Sequence, residues 1–172
     1  MMENPGRLDA VARVEENNSV MTRYPLLFGR RELVEGDGFL ARVAVSGRAL
    51  LTEEDGEFWV EGVNPGGFAA SGKTPGEALG EFSVAFRAVL FDIASGARDL
   101  QDFQAEVQRF FEETNVPASR DWEEGVRKVK AGQVDANWLE RRPAETRIGV
   151  EVVEASGPTA TNNEFGNAVL AA

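Results

Sequence analysis

The apolar residues of this chain change their period at Thr74-Pro75, and that change limits the folds open to it. Upstream, Phe39, Ala41, Val43 and Val45 alternate with Leu40, Arg42 and Ala44, the two-residue period of a strand with one buried face. Downstream, Ala78, Leu79, Phe82, Ala85, Phe86, Val89, Leu90 and Ile93 form one stripe at helical spacing. The junction carries its own start signal. Thr74 can cap, Pro75 suits the first helical position and Glu77 completes a T-x-x-E box. Pro75 also drives Thr74 into the extended conformation that a cap needs. The expected fold is therefore α+β, with the stripe from Ala78 to Ile93 covering one face of an antiparallel sheet made by residues 39–71.

Turn chemistry divides that sheet. Ser46-Gly47 bends the chain, and Arg48 to Thr52 resumes extended character. Asp55-Gly56 is a hairpin signal, because a type I′ turn needs positive φ at both central residues. The returning strand, Glu57 to Val63, alternates Phe58 and Val60 with Glu57, Trp59 and Glu61. Asn64-Pro65-Gly66-Gly67 closes it, and Phe68 to Ser71 is long enough for one more short strand. A second helix is expected from about Asp99, burying Leu100, Phe103, Val107, Phe110 and Phe111, and ending at Asn115 and Pro117. Ser119 can cap a third, which carries Trp122, Val126 and Val129 and stops at Gly132. Val134 to Arg142 reads as a short helix before Pro143. Thr146–Val153 reads as a strand, with Ile148, Val150 and Val152 alternating.

The ends read weakly. In residues 1–37, Leu8, Val11, Ala12 and Val14 suggest a helical turn, Tyr24 to Phe28 is a small apolar cluster, and Glu32 to Gly38 is turn-rich. The resulting organisation is an N-terminal extension at 1–37, an α+β domain at 38–155 with a helical insertion at about 98–145, and a flexible tail at 156–172.

The 172 residues suit one domain. They include no Cys and no His, which removes thiolate nucleophiles, disulfides, imidazole acid–base chemistry and the usual zinc ligands. The net charge of −11 repels phosphate backbones and anionic lipid and favours basic partners. It is concentrated in residues 50–115, where 13 acids face four bases. No apolar run is long enough to span a bilayer, and the N-terminus lacks a signal-peptide hydrophobic region, so the chain reads as cytoplasmic.

Candidate chemistry is sparse. Glu53, Glu54, Asp55, Glu57 and Glu61 offer carboxylates for a divalent cation, but acids flanking a hairpin turn are ordinarily solvated. The run from Gly67 to Gly72-Lys73-Thr74 matches the P-loop spacing, although Phe68 to Ala70 reads as strand and Pro75 removes a backbone N–H that would serve a phosphate. Arg127, Lys128, Lys130, Arg141 and Arg142 lie in two expected helices around Gly132, so residues 119–142 offer a helix-turn-helix reading for DNA. Interleaved Asp121, Glu123, Glu124, Asp135 and Glu140 are instead the pattern of an ordinary exposed helix. Trp59 stands out, since it shares its strand face with Glu57 and Glu61, opposite Phe58 and Val60. If the latter two face the core, an aromatic is presented outward between acids, which suits a basic partner. Burial beneath residues 1–37 or the second helix is the alternative.

The stretch from about Leu50 to Ile93 resembles the HicB-like antitoxin domain. The resemblance rests on Asp55-Gly56, Phe58-Trp59-Val60 and Pro65-Gly66, then Gly72, Thr74, Glu77 and Ala78 in a G-x-T-x-x-E-A segment that opens an amphipathic helix. It implies a β-β-β-α-β core similar to a partial RNase H fold, with an antiparallel sheet, helices on one face and extra C-terminal helices. It also implies homo-oligomerisation and neutralisation of a small basic HicA-like toxin. The expected function is thus a non-enzymatic, cytoplasmic protein-binding module without cofactor or metal. Its partner-binding residues would be Glu53, Asp55, Glu57, Trp59 and Glu61. A small phosphate- or metal-handling enzyme using Lys73 and Thr74 or the carboxylates, and a self-associating structural protein, are the alternatives.

Overall fold

In the computed structural model, which describes residues 21–156 and 168–172, the chain runs β1 (Thr22–Gly36), β2 (Phe39–Glu54), β3 (Glu57–Asn64), β4 (Ala69–Gly72), α1 (Pro75–Gly96), α2 (Leu100–Glu112), α3 (Val116–Lys130), β5 (Arg141–Arg142), β6 (Gly149–Glu154) and β7 (Val169–Ala171). The described strands form one mostly antiparallel sheet of seven, in the order β4-β3-β2-β1-β7-β5, with β6 also on β2. Only β5 and β7 pair in parallel.

Strand β2 is the hub. One edge pairs with β1 from Thr22↔Glu53 to Gly36↔Phe39. Its other edge is shared, with β3 on residues 48–54 and β6 on residues 41–46. The expected hairpin at Asp55-Gly56 has the geometry its sequence demands, with φ of 52° and 80° at the two turn residues.

Strand β1 lies where the sequence suggests an N-terminal extension. Its disguise is electrostatic. Leu26, Phe28 and Val34 point into the core on one face, but Arg30 and Glu32 stand between them on the same face. Arg30 donates to the Glu32 carboxylate at 2.5 Å, and Arg87 of α1 approaches the same carboxylate at 3.7 Å. Glu32 is thereby buried with its charge matched. An inward ion pair breaks the apolar alternation without breaking the strand.

Helices cover both faces of the sheet, rather than the single face expected. Alternate residues of a strand point to opposite faces. Leu26 of β1, Leu51 of β2 and Val60 of β3 share a core with Ala78, Phe82, Phe86, Leu90 and Ala94 of α1 and Phe103 and Val107 of α2. Leu27, Leu50 and Val63 point the other way and pack with Ala118, Trp122 and Val126 of α3. The sequence pattern of α3 is amphipathic whichever face it meets, so it carries no sign of the layer.

Helix α1 starts as its box requires. Thr74 Oγ1 accepts from the Glu77 amide at 3.1 Å, and the Glu77 carboxylate accepts from the Lys73 amide at 2.9 Å. Phe82 stacks on Phe68 and meets Phe28 edge-on, and Phe86 and Phe110 complete the aromatic cluster. Asp99 caps α2. Asn115 and Pro117 open α3 instead of merely ending α2. Asn115 Oδ1 accepts from the Ala118 amide at 3.2 Å, which makes Asn115 and not Ser119 the cap. Residues 134–140 turn irregularly before β5, where a short helix is expected; Gly132 (φ 69°) ends the helical run. Of the strand expected at Thr146–Val153, residues 149–153 lie in β6 (Gly149–Glu154), and residues 146–148 precede it outside the sheet. Residues 169–171, inside the expected tail, are the buried strand β7 beside Leu26 and Leu27. Residues 157–167 of that tail, and the helical turn expected near Leu8 to Val14, lie outside the described residues. Among the described residues no helix is long and apolar enough to cross a membrane.

Candidate functional site

The β2–β3 hairpin sorts its acids onto two faces. The register sets Glu54 opposite Glu57, Glu53 opposite Phe58, Thr52 opposite Trp59 and Leu50 opposite Glu61. Because Val60 lies under α1 and Phe58 packs against the same core, Glu57, Trp59 and Glu61 belong to the α3 face, together with Thr52 and Glu54. Trp59 is 49% exposed. Its neighbours across the sheet explain why the ring stands proud. Thr52 on β2 and Ser71 on β4 flank it, both short, and helix α3 covers Leu50 and Val63 further along the face.

The five expected partner-binding residues do not form one group. Trp59 and Glu57 are exposed side by side on one face, and Asp55 is exposed at the tip. Glu61 is half-buried, and its carboxylate accepts from Asn115 Nδ2 at 3.2 Å, which ties β3 to the cap of α3. Glu53 points to the opposite face and accepts from the Tyr24 hydroxyl at 3.2 Å. Burial first, and then the Glu53 charge, push the Tyr24 phenol above its ordinary pKa. Glu54, absent from the expected set, joins Glu57 and Trp59 by register. A count of residues across the turn is enough to find it: in a two-residue hairpin the positions flanking the turn are a cross-strand pair on one face. Beside them, Arg23 of β1 pairs with Thr52 in the ladder and with Asp121 of α3 at 3.3 Å. The exposed surface is therefore Asp55, Glu57 and Trp59, with Glu54 half-buried beside them.

The glycine-rich segment from Gly62 to Gly67 has a packing role. The Gly66 amide donates to the Glu113 carbonyl at 2.8 Å, and the Asn115 amide donates to the Val63 carbonyl at 3.1 Å. A Cβ on Gly66 would come 2.7 Å from the Asn115 nitrogen, so the loop and the α2–α3 connection approach as closely as backbones allow. The P-loop-like run is split by β4, the Glu77 amide in the first turn of α1 donates to Thr74 Oγ1, and the Lys73 amide just before the helix donates to the Glu77 carboxylate. Among the described residues no three acidic side chains converge as metal ligands. In the DNA reading of residues 119–142, no second helix follows α3 within the described residues; Arg127 and Lys128 pair with Glu124, and Lys130 with Glu145.

Compared with known proteins, the chain matches no family model, no curated protein and no solved structure.

Proposed function

We propose that this chain is a non-enzymatic protein-binding module that presents the exposed hairpin residues Asp55, Glu57 and Trp59, with the half-buried Glu54 beside them, to a small basic protein in the cytoplasm. The observation that carries the reading is Trp59, a large aromatic ring half in water among carboxylates on a rigid strand. An anchored aromatic ringed by charge is the composition of a binding centre with a steering rim. Support for the HicB-like version comes from the succession β2, Asp-Gly turn, β3, Pro-Gly loop, β4, α1 over the residues that resemble that domain, with β6 returning beside β2. On that reading the partner is a HicA-like toxin and the chain self-associates. The strands β2, β3, β4 and β6 with α1 would correspond to the β-β-β-α-β, partial RNase H-like core.

The test is complex formation on size exclusion with a HicA-like toxin. A complex is expected, and charge reversal at the exposed Glu57 should slow association most at low salt, since exposed acids mainly steer encounter. Absence of any complex removes the toxin version. Binding that survives Trp59→Ala unchanged removes the hairpin surface.

A further inference from the structure

The sheet ends at β4, and that edge is bare. Just past the Glu61–Ala69 pair, the Gly62 amide donates to the Phe68 carbonyl at 3.0 Å, so Gly62 and Phe68 form a hydrogen-bonded pair. Alternation along the ladder makes Val60–Ala70 and Phe58–Gly72 bonded pairs too, with Glu61–Ala69 and Trp59–Ser71 between them. The N–H and C=O groups of Ala69 and Ser71 therefore point away from β3. Among the described residues no backbone or side-chain group bonds to them. Both residues are exposed. Natural sheets guard such an edge with charge, proline or a bulge. Ala69-Ala70-Ser71-Gly72 offers none of these, and the edge is limited only by its length.

The bare edge lies one strand from Trp59. Ser71 stands directly opposite Trp59, and Ala69 opposite Glu61, on the face that bears α3. Both are short, so β4 raises no wall between the edge and the ring. Along β3, Glu57 and Glu61 lie two residues to either side of Trp59 on the same face. A strand added to β4 would run two strand spacings, about 10 Å, from β3, within the span of an arginine or lysine side chain. Its cation would rest on an aromatic face between two carboxylates, an arrangement that suits a guanidinium best. Charge fixes the occupant. β4 carries no charged residue, so a second copy of this edge brings no cation to the ring, whereas a basic segment does. We infer that β4 is a docking edge: an extended basic segment of the partner protein adds to it as a further strand, and one of its arginine or lysine side chains crosses Ser71 to lie over Trp59 between Glu57 and Glu61. In such an addition the main-chain bonds supply affinity and the alternate side chains supply selectivity. The inference rests on the reading of Trp59 as the partner surface and adds to it the mode of docking.

The probe is a capped peptide of four Arg-Thr repeats, titrated into the full chain by calorimetry while amide exchange is followed by NMR. Binding is expected, with exchange at the Ala69 and Ser71 amides slowed at least about tenfold. Ser71→Pro removes one outward donor without changing charge, at an edge position where proline is tolerated, and should weaken the peptide at least about tenfold. Ser71→Ala should bind as the parent does. The exchange measurement uses the parent chain, so it decides even if Ser71→Pro does not fold. Trp59→Ala should weaken the peptide while exchange at Ala69 and Ser71 is still slowed at saturation. A peptide that does not bind, or that binds with exchange at those two amides unchanged, overturns the docking edge. Slowed exchange together with full affinity in Trp59→Ala overturns the crossing cation. Protection that grows with the concentration of the chain alone assigns the edge to a second copy and overturns the basic segment. A bound peptide beside a failed toxin complex removes the toxin and keeps the edge.

Discussion

Two tryptophans on one face of the sheet have opposite fates. Trp122 is 4% exposed, wedged between α3 and the strands, with its indole N–H on the Leu26 carbonyl at 3.0 Å and the Arg48 guanidinium 4.6 Å above its ring. Trp59 has no such cover and faces water beside Glu57. Chemistry is the same, and so is the face. What differs is the helix overhead and the length of the neighbours, so exposure here is set by what the third layer covers and not by the residue type. Burying an aromatic ring yields a large hydrophobic return, and leaving one out on a well-formed strand forgoes it. That contrast is the physical reason for assigning stability to one tryptophan and recognition to the other.

Breaking the buried side should give the largest effect. Trp122→Ala is expected to cost about 3–5 kcal/mol in denaturant unfolding, since it empties a packed site and strands the cation resting on it. Phe82→Ala, in the aromatic cluster under α1, should cost about the same, which would show the two layers to be equal partners. A loss below about 1 kcal/mol at either site would mean that its helix is not a core layer. Trp59→Ala should divide the other way. Titration with a basic partner should show a loss of at least about 2 kcal/mol in affinity, with less than about 1 kcal/mol lost in folding. If the protein unfolds while binding per folded molecule is kept, Trp59 belongs to the core and the contrast collapses.

A smaller effect sharpens the boundary between the regions. Asn115 caps α3 and holds Glu61, so Asn115→Ala should cost about 1 kcal/mol in thermal unfolding without touching affinity at the hairpin. Smallest is a pH effect at Tyr24. Its phenol titrates higher in the folded chain than in the unfolded one, through burial and then through Glu53. The unfolded chain therefore loses this proton first as pH rises, and stability should begin to fall above about pH 10. Tyr24→Phe should flatten that alkaline limb. An unaltered slope in the variant would remove Tyr24 as its source.

How much of this the sequence shows depends on whether local chemistry or distant packing decides each element. The box at Thr74 to Glu77, the turn at Asp55-Gly56 and the inward set of α1 are local and are legible. Trp59 is legible too, because strand alternation fixes its face relative to Val60. Strand β1 is hidden because Arg30 and Glu32 satisfy each other inside, a pairing that no alternation rule anticipates. Asp37-Gly38, between residues 22–36 and 39–54, is the signal that would have exposed it, since that dipeptide marks a hairpin as well as Asp55-Gly56 does. Strand β7 is only three residues long and is held by its place beside Leu26 and Leu27, so nothing local announces it. The loss of Glu53 and Glu61 from the exposed surface depends on Tyr24 and Asn115, both far away in sequence.

The shared edge of β2 has a consequence for how the molecule is made. Residues 48–54 find β3 within a few positions, whereas residues 41–46 wait for β6, about a hundred residues later. At synthesis rates of about 5–20 residues per second, that half of the edge stays unpaired for about 5–20 s after β2 emerges. During this time the growing chain carries an apolar strand with free amides and carbonyls, the geometry that recruits a neighbouring strand from another nascent chain. Pairing at such sequence separation is also slow to nucleate, because loop-closure entropy is lost before the contact forms. Arg42, exposed in the middle of that strand, sets a charge within the apolar run during the interval.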